Sequence, residues 1–256
     1  MTAIAASTHA PASPGARVWR IVRLLTANPM TTIGMPLMVL ALIFAGTWFI
    51  WWLVMASVSG ADAQDAADGI RYNGAAAWIF VYMLVVAVQA VNLAFPLALG
   101  YGSTRRAFSA GAALTFLMLS VVYASIMTFA RWLEVLTDGW GVLGSFFGTN
   151  YFATDAGWPA QWWIYFCWFV FFFFTGMIFA AVFVRWRAFG LTTSLLALGV
   201  LVVAAVAAIT LTNSWPQVWE TLVGLGTLGV ASWMLVPAVL AAGLGHLLLR
   251  RATPRS

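Results

Sequence analysis

Few residues in this chain are of a type and spacing that could do chemistry. Gly224, Leu225, Gly226, Thr227, Leu228 and Gly229 spell G-x-G-x-x-G, the pattern that lets a backbone approach a pyrophosphate after a strand and inside a βαβ unit. Here the run opens an apolar, helix-length segment, so close helix packing by small residues is the better reading. The chain contains no Lys at all. It therefore has no phosphate-binding loop of the lysine type and does not itself bind ATP that way. Cys167, His9 and His246 are too few and too scattered for a protein-only metal site. The dense acids are Asp62, Asp65 and Asp68. A lipid-modifying membrane enzyme would need them joined by a His or Ser at one interface, and a solvated loop face explains them more simply.

Ionisable residues inside a bilayer are expensive and usually functional, and the apolar segments hold essentially none. The sequence thus offers no mid-membrane proton carrier, no paired haem histidines and no intramembrane Ser–His set. His246 sits near the end of the last apolar segment and reads as a satisfied interfacial histidine. No catalytic residue and no metal ligand is expected.

Lipid is the solvent that must position these residues. The chain has 256 residues, 63% hydrophobic and 7% charged, whereas a soluble domain carries about a quarter charged. Six stretches reach the roughly 20 apolar residues that span a bilayer, at about 34–58, 75–99, 108–130, 161–184, 191–211 and 222–249. The last is long enough to tilt or to kink at Pro237. The expectation is an all-α polytopic membrane protein with six transmembrane helices in a domain over 34–249. Residues 1–16, rich in Ala, Ser, Thr and Pro, read as a disordered cytoplasmic tail, and 250–256 as a second tail. A cleavable signal peptide is not expected, since the first basic residue is Arg17 and further spans follow.

All twelve cations are Arg, and the net charge is +5. Arg17, Arg20, Arg23, Arg105, Arg106, Arg185, Arg187, Arg250, Arg251 and Arg255 fall on one side of the six-span layout. Arg71 and Arg131 fall on the other, with all seven acids, Asp62, Asp65, Asp68, Glu134, Asp138, Asp155 and Glu220. The positive-inside rule puts both termini in the cytoplasm. Charge placed in short turns suits anionic lipid headgroups and a cytoplasmic partner rather than nucleic acid.

Residues 17–33 read as an amphipathic helix lying in the inner interface, with Arg17, Arg20 and Arg23 as a drifting polar stripe. Asn28-Pro29 breaks it. The long connection 131–160 mixes Gly139, Gly141, Gly144 and Gly148 with Trp140, Phe146 and Phe147, and is expected on the outer side. Eight tryptophans (48, 51, 52, 158, 162, 163, 215 and 219) cluster at the outer ends of spans. An interfacial belt is the plain reading, and a substrate-facing aromatic surface the sharper one. Gln89, Asn92, Ser120 and Thr128 are polar residues inside spans. They either bond between helices or line a translocation path.

The turn after span two reads Phe95-Pro96-Leu97-Ala98-Leu99-Gly100-Tyr101-Gly102-Ser103-Thr104-Arg105-Arg106-Ala107-Phe108. It resembles the F-P-x-A-L-G-x-S-R-R-x-F stretch of small ABC-2-type permeases, the membrane subunits of ABC transporters. Asn28 to Pro36 is similar to the start of those subunits, and the six-span layout agrees along nearly the whole chain. The outer loops are short, unlike those of permeases that transmit force to periplasmic partners.

The resemblance implies a permease subunit, not itself an enzyme, that pairs with a second copy or a similar permease and docks on two ATPase subunits. ATP and Mg would act through that partner. It implies a plasma-membrane location, the inner membrane of a bacterium, and a coupling helix at Gly100, Tyr101, Gly102, Ser103, Thr104, Arg105, Arg106 and Phe108. There Pro96 and Gly100 would end one helix, and Ser103 or Thr104 would cap the next. Arg185 and Arg187 would form a second, weaker contact. The apolar, aromatic spans suit export of a hydrophobic or amphipathic cargo. The rival readings are a non-transporting membrane anchor or signalling subunit and, further off, the lipid-modifying enzyme.

Overall fold

The computed structural model describes residues 13–58, 69, 74–149 and 152–251. Asp62, Asp65, Asp68, Arg71, His9 and Arg255 lie outside them. The described residues are helical, with no strand among them. Five helical segments are long and apolar enough to cross a membrane: Met30–Ser57, Ala75–Gly100, Arg105–Leu136, Trp158–Leu211 and Trp215–Arg250.

Helix α1, Pro14–Leu25, starts where Ser13 accepts the Ala16 amide and Pro14 supplies a pre-set φ. It therefore begins before residue 17, inside the stretch read as tail. It buries Ile21, Val22 and Leu25, and Ile21 seats against Gly111, where any Cβ would collide with it. A single π-type turn, Met30–Gly34, joins α1 to α2, Met35–Ser57. Helix α3 is Trp78–Gly100, and α4 is Arg105–Leu136. They pack antiparallel, Phe95 against Phe108 at 5.1 Å between ring centroids.

Helix α5, Trp158–Leu211, is interrupted at Arg187, whose φ of 58° and ψ of −154° are not helical. Its first arm, 158–186, carries the aromatic core. Phe169 meets Phe80 and Tyr123, and Phe173 stacks on Phe116. Gly176 lets α3 close in, since a Cβ there would lie 2.5 Å from the Leu84 carbonyl oxygen. The second arm, 188–211, has no buried residue. An apolar helix exposed all round suits hydrocarbon, which is as apolar as its own leucines.

Helix α6, Trp215–Trp233, breaks at Gly226 (φ 62°). Side chains added at Gly224 or Gly226 would meet nothing. Gly226 bends the chain, and neither glycine serves close packing, contrary to the sequence reading. Helix α7, Leu235–Arg251, begins after Met234. The bend thus falls three residues before Pro237, where the missing amide and the ring's clash with the preceding turn act.

The 131–160 connection is ordered by one buried carboxylate. Helix α4 runs past residue 130 to Leu136, which places Glu134, 1% exposed, inside the protein. Its Oε2 accepts the Phe146 and Phe147 amides at 2.7 and 2.9 Å and the Trp140 indole N–H at 3.2 Å. Its Oε1 accepts the Gly148 amide at 2.9 Å and Arg131 Nη1 at 2.6 Å. Gly148 is required because a Cβ there would overlap the Arg131 guanidinium. Tyr165 donates to the Phe147 carbonyl at 2.6 Å, and Trp48 to that of Trp140 at 3.2 Å, which ties the loop to α5 and α2.

Glu134→Ala leaves the three amides and Arg131 without their acceptor. Losing one partner of a buried pair costs about 3 kcal/mol or more. A lower melting temperature in detergent, with faster proteolysis within 137–157, is the expected outcome. An unchanged melt would contradict the organising role of Glu134.

Candidate functional site

Two ends of the bundle differ in chemistry. At one end the start of α4 meets the end of α7. Ser109 Oγ lies 2.6 Å from His246 Nδ1, and Arg105 Nη1 donates to the Arg250 carbonyl at 3.2 Å. Helix α1 lies alongside through Ile21 and Gly111. The Ser–His contact was not foreseen from the sequence, because the partners are 137 residues apart. Ser109 is 2% exposed, so the contact is an internal one. It satisfies His246, as the sequence reading expected of that residue.

The turn between α3 and α4 belongs to this arginine-bearing end. Its backbone ends α3 with a Schellman motif: Ser103 N–H bonds the Ala98 carbonyl and Gly102 N–H that of Leu99, both at 3.0 Å. Gly102 takes φ 76°, a region that penalises any Cβ. Helix α4 then starts at Thr104, whose Oγ1 accepts the Ala107 amide at 3.2 Å. The sequence reading had Pro96 and Gly100 ending the helix. Pro96 instead lies within α3, Gly100 is its last residue and Gly102 is the stop. Of the two capping candidates, Thr104 caps α4.

The eight residues of the expected coupling segment do not act alike. Tyr101, 81% exposed, and Arg106 project outward. Phe108, 0% exposed, is buried against Phe95 and braces the turn from within. Arg105 is half-buried and engaged with α7. No separate coupling helix exists between Gly100 and Arg105. Arg185 stacks over the Trp186 ring at 4.6 Å, and Arg187 forms the break in α5.

The in-span polar residues divide as well. Ser120 and Thr128 bond the carbonyls of Phe116 and Ala124 on their own helix, and Ser120 is fully buried. Asn92 keeps a buried Oδ1 without a partner. Gln89 opens on a cavity of about 380 Å³ between α3 and the segment joining α1 to α2.

At the opposite end Arg131 separates two polar clefts of about 390 and 240 Å³. One is bordered by Glu134, Asp138 and Ser145, the other by Asp155 and Gln161. Gln161 bonds the Phe152 carbonyl and the Thr154 amide, so it shapes the connection. No group of three or more His, Cys, Asp or Glu side chains gathers as a metal site among the described residues.

Comparisons with protein-family models, with curated proteins and with solved structures found no match.

The turn makes a direct prediction. Thr104→Ala removes one cap bond and costs about 1 kcal/mol, and Gly102→Val forces a β-branched residue to positive φ at a cost above about 1 kcal/mol. Melting temperatures in detergent should rank wild type, Thr104→Ala, then Gly102→Val.

Proposed function

We propose that the chain is the transmembrane permease subunit of an ATP-driven ABC transporter, exporting a hydrophobic or amphipathic compound. The observation that carries the reading is the short, doubly capped turn at Tyr101–Thr104, presenting Tyr101 and Arg106 at the arginine-bearing end. It coincides with the stretch that resembles the coupling segment of ABC-2 permeases. The absence of Lys from the sequence supports a driving force supplied by another polypeptide. In this reading two ATPase subunits dock at Tyr101 and Arg106, and a second permease copy or a similar permease completes the transporter. Arg185 adds a lesser contact.

The reading includes six spans with both termini in the cytoplasm. Helix α5 has 54 residues, about 80 Å at 1.5 Å per residue, against a hydrocarbon core of roughly 30 Å. In this reading it doubles back at the Arg187 break. The first arm then descends to the cytoplasm and the second returns. The arginines on the cytoplasmic side follow the positive-inside rule.

Two experiments test this. In a Cys167→Ala background, Thr212→Cys should react with an impermeant maleimide from outside the cell, and Phe189→Cys only in inverted vesicles. Labelling of both from one side would refute the sixth span. Arg106→Glu should insert normally and lose at least about tenfold in ATPase docking, worth 1.4 kcal/mol, together with substrate-stimulated ATP turnover. Undiminished copurification and turnover would refute the coupling role. Stable docking of the wild type with no substrate-stimulated turnover would favour the anchor reading.

A further inference from the structure

The break between α1 and α2 is a built feature. Asn28 Oδ1 accepts the Met30 and Thr31 amides at 3.1 and 3.4 Å, and its carbonyl accepts the Thr31 and Thr32 hydroxyls at 3.0 and 3.2 Å. Tyr123 of α4 donates to the Thr32 carbonyl at 2.7 Å and holds the segment against the bundle. Tyr123 is eighteen residues along α4 from Arg105, so the broken segment lies at membrane depth. Irregular backbone at that depth is tolerated only where it is covered by protein or lines a cavity, and this one lines the cavity facing α3.

Across that cavity stand Tyr82 and Gln89. Among the described residues neither the Tyr82 hydroxyl nor the Gln89 amide has a hydrogen-bond partner. Gln89 lies eleven residues from Gly100, about 16 Å along α3, which is near the midplane of a bilayer core roughly 30 Å thick. An unpaired amide there costs several kcal/mol on hydrocarbon-transfer scales. A phospholipid whose headgroup stays at the interface offers Gln89 only acyl chain. No charged side chain borders the cavity, so an ionised ligand group would go uncompensated. The remaining walls, including Leu24, Val86, Leu93 and Leu97, are apolar.

We infer that this cavity binds a neutral, chain-like amphiphile whose hydroxyl, carbonyl or amide group bonds Gln89 at mid-membrane depth. The site needs no ATPase, so its failure and that of the transporter reading are separable.

The test uses the full-length chain in nanodiscs of three parts phosphatidylcholine to one part phosphatidylglycerol. The probes are a diazirine-bearing long-chain alcohol, the matching alkane and a diazirine phosphatidylcholine. The alcohol should crosslink to residues 82–97 and 24–35 at least tenfold more than the alkane or the phospholipid. Gln89→Leu should abolish that preference at an unchanged melting temperature. Ala90→Phe, which fills the cavity and keeps Gln89, should abolish crosslinking there, and guards against a folding defect in the first variant. Equal labelling by alcohol and alkane, preferential labelling by phosphatidylcholine, or undiminished alcohol labelling in Gln89→Leu would overturn the inference.

Discussion

A chain dissolved in hydrocarbon must satisfy its own backbone, because the solvent offers no hydrogen bonds. Three interruptions among the described residues are shaped by that constraint. Between α1 and α2 the side chain and carbonyl of Asn28 replace the lost helical partners. After α3 the Schellman bonds of Gly102 and Ser103 take up terminal carbonyls, and Thr104 takes an orphan amide of α4. Beyond α4 the task falls to Glu134, which gathers the amides of Phe146, Phe147 and Gly148. A charged residue is thereby put to structural use, with Arg131 as its counter-ion.

The two ends of the bundle consequently do different work. The end bearing Glu134 is tied together, with Tyr165, Trp48 and Gln161 each bonding backbone across elements. At the opposite end, among the described residues, Arg105 and Ser109 tie α4 to α7. Between the ends, aromatic rings from α3, α4 and the first arm of α5 form the core, while the second arm of α5 stands exposed.

The helical, membrane-like character was legible in the sequence because long apolar runs have few other solutions. Site detail was less so. Gln89 was marked from its polarity within an apolar run, and it does open on a cavity. Ser120 and Thr128 carried the same signal, yet their hydroxyls close onto their own helix, as Ser and Thr readily do. Phe108 was grouped with its exposed neighbours because a sequence motif does not reveal which way a side chain turns. Glu134 was placed in a loop because an acid at the edge of an apolar run usually is. Its partners lie 12 to 14 residues on, in amides that carry no side-chain signature. The one available hint was Gly148, since glycine in an aromatic stretch can mark a close approach.

The turn joining α3 and α4 has a mechanical consequence. It contains four residues, each end is closed by hydrogen bonds, and Phe108 wedges against Phe95 immediately behind it. Such a connection has little slack. A displacement applied at Tyr101 is not absorbed by the loop but is delivered to both helices together, as by a stiff bracket rather than a hinge. The breaks in helical geometry lie elsewhere, at Arg187 and Gly226.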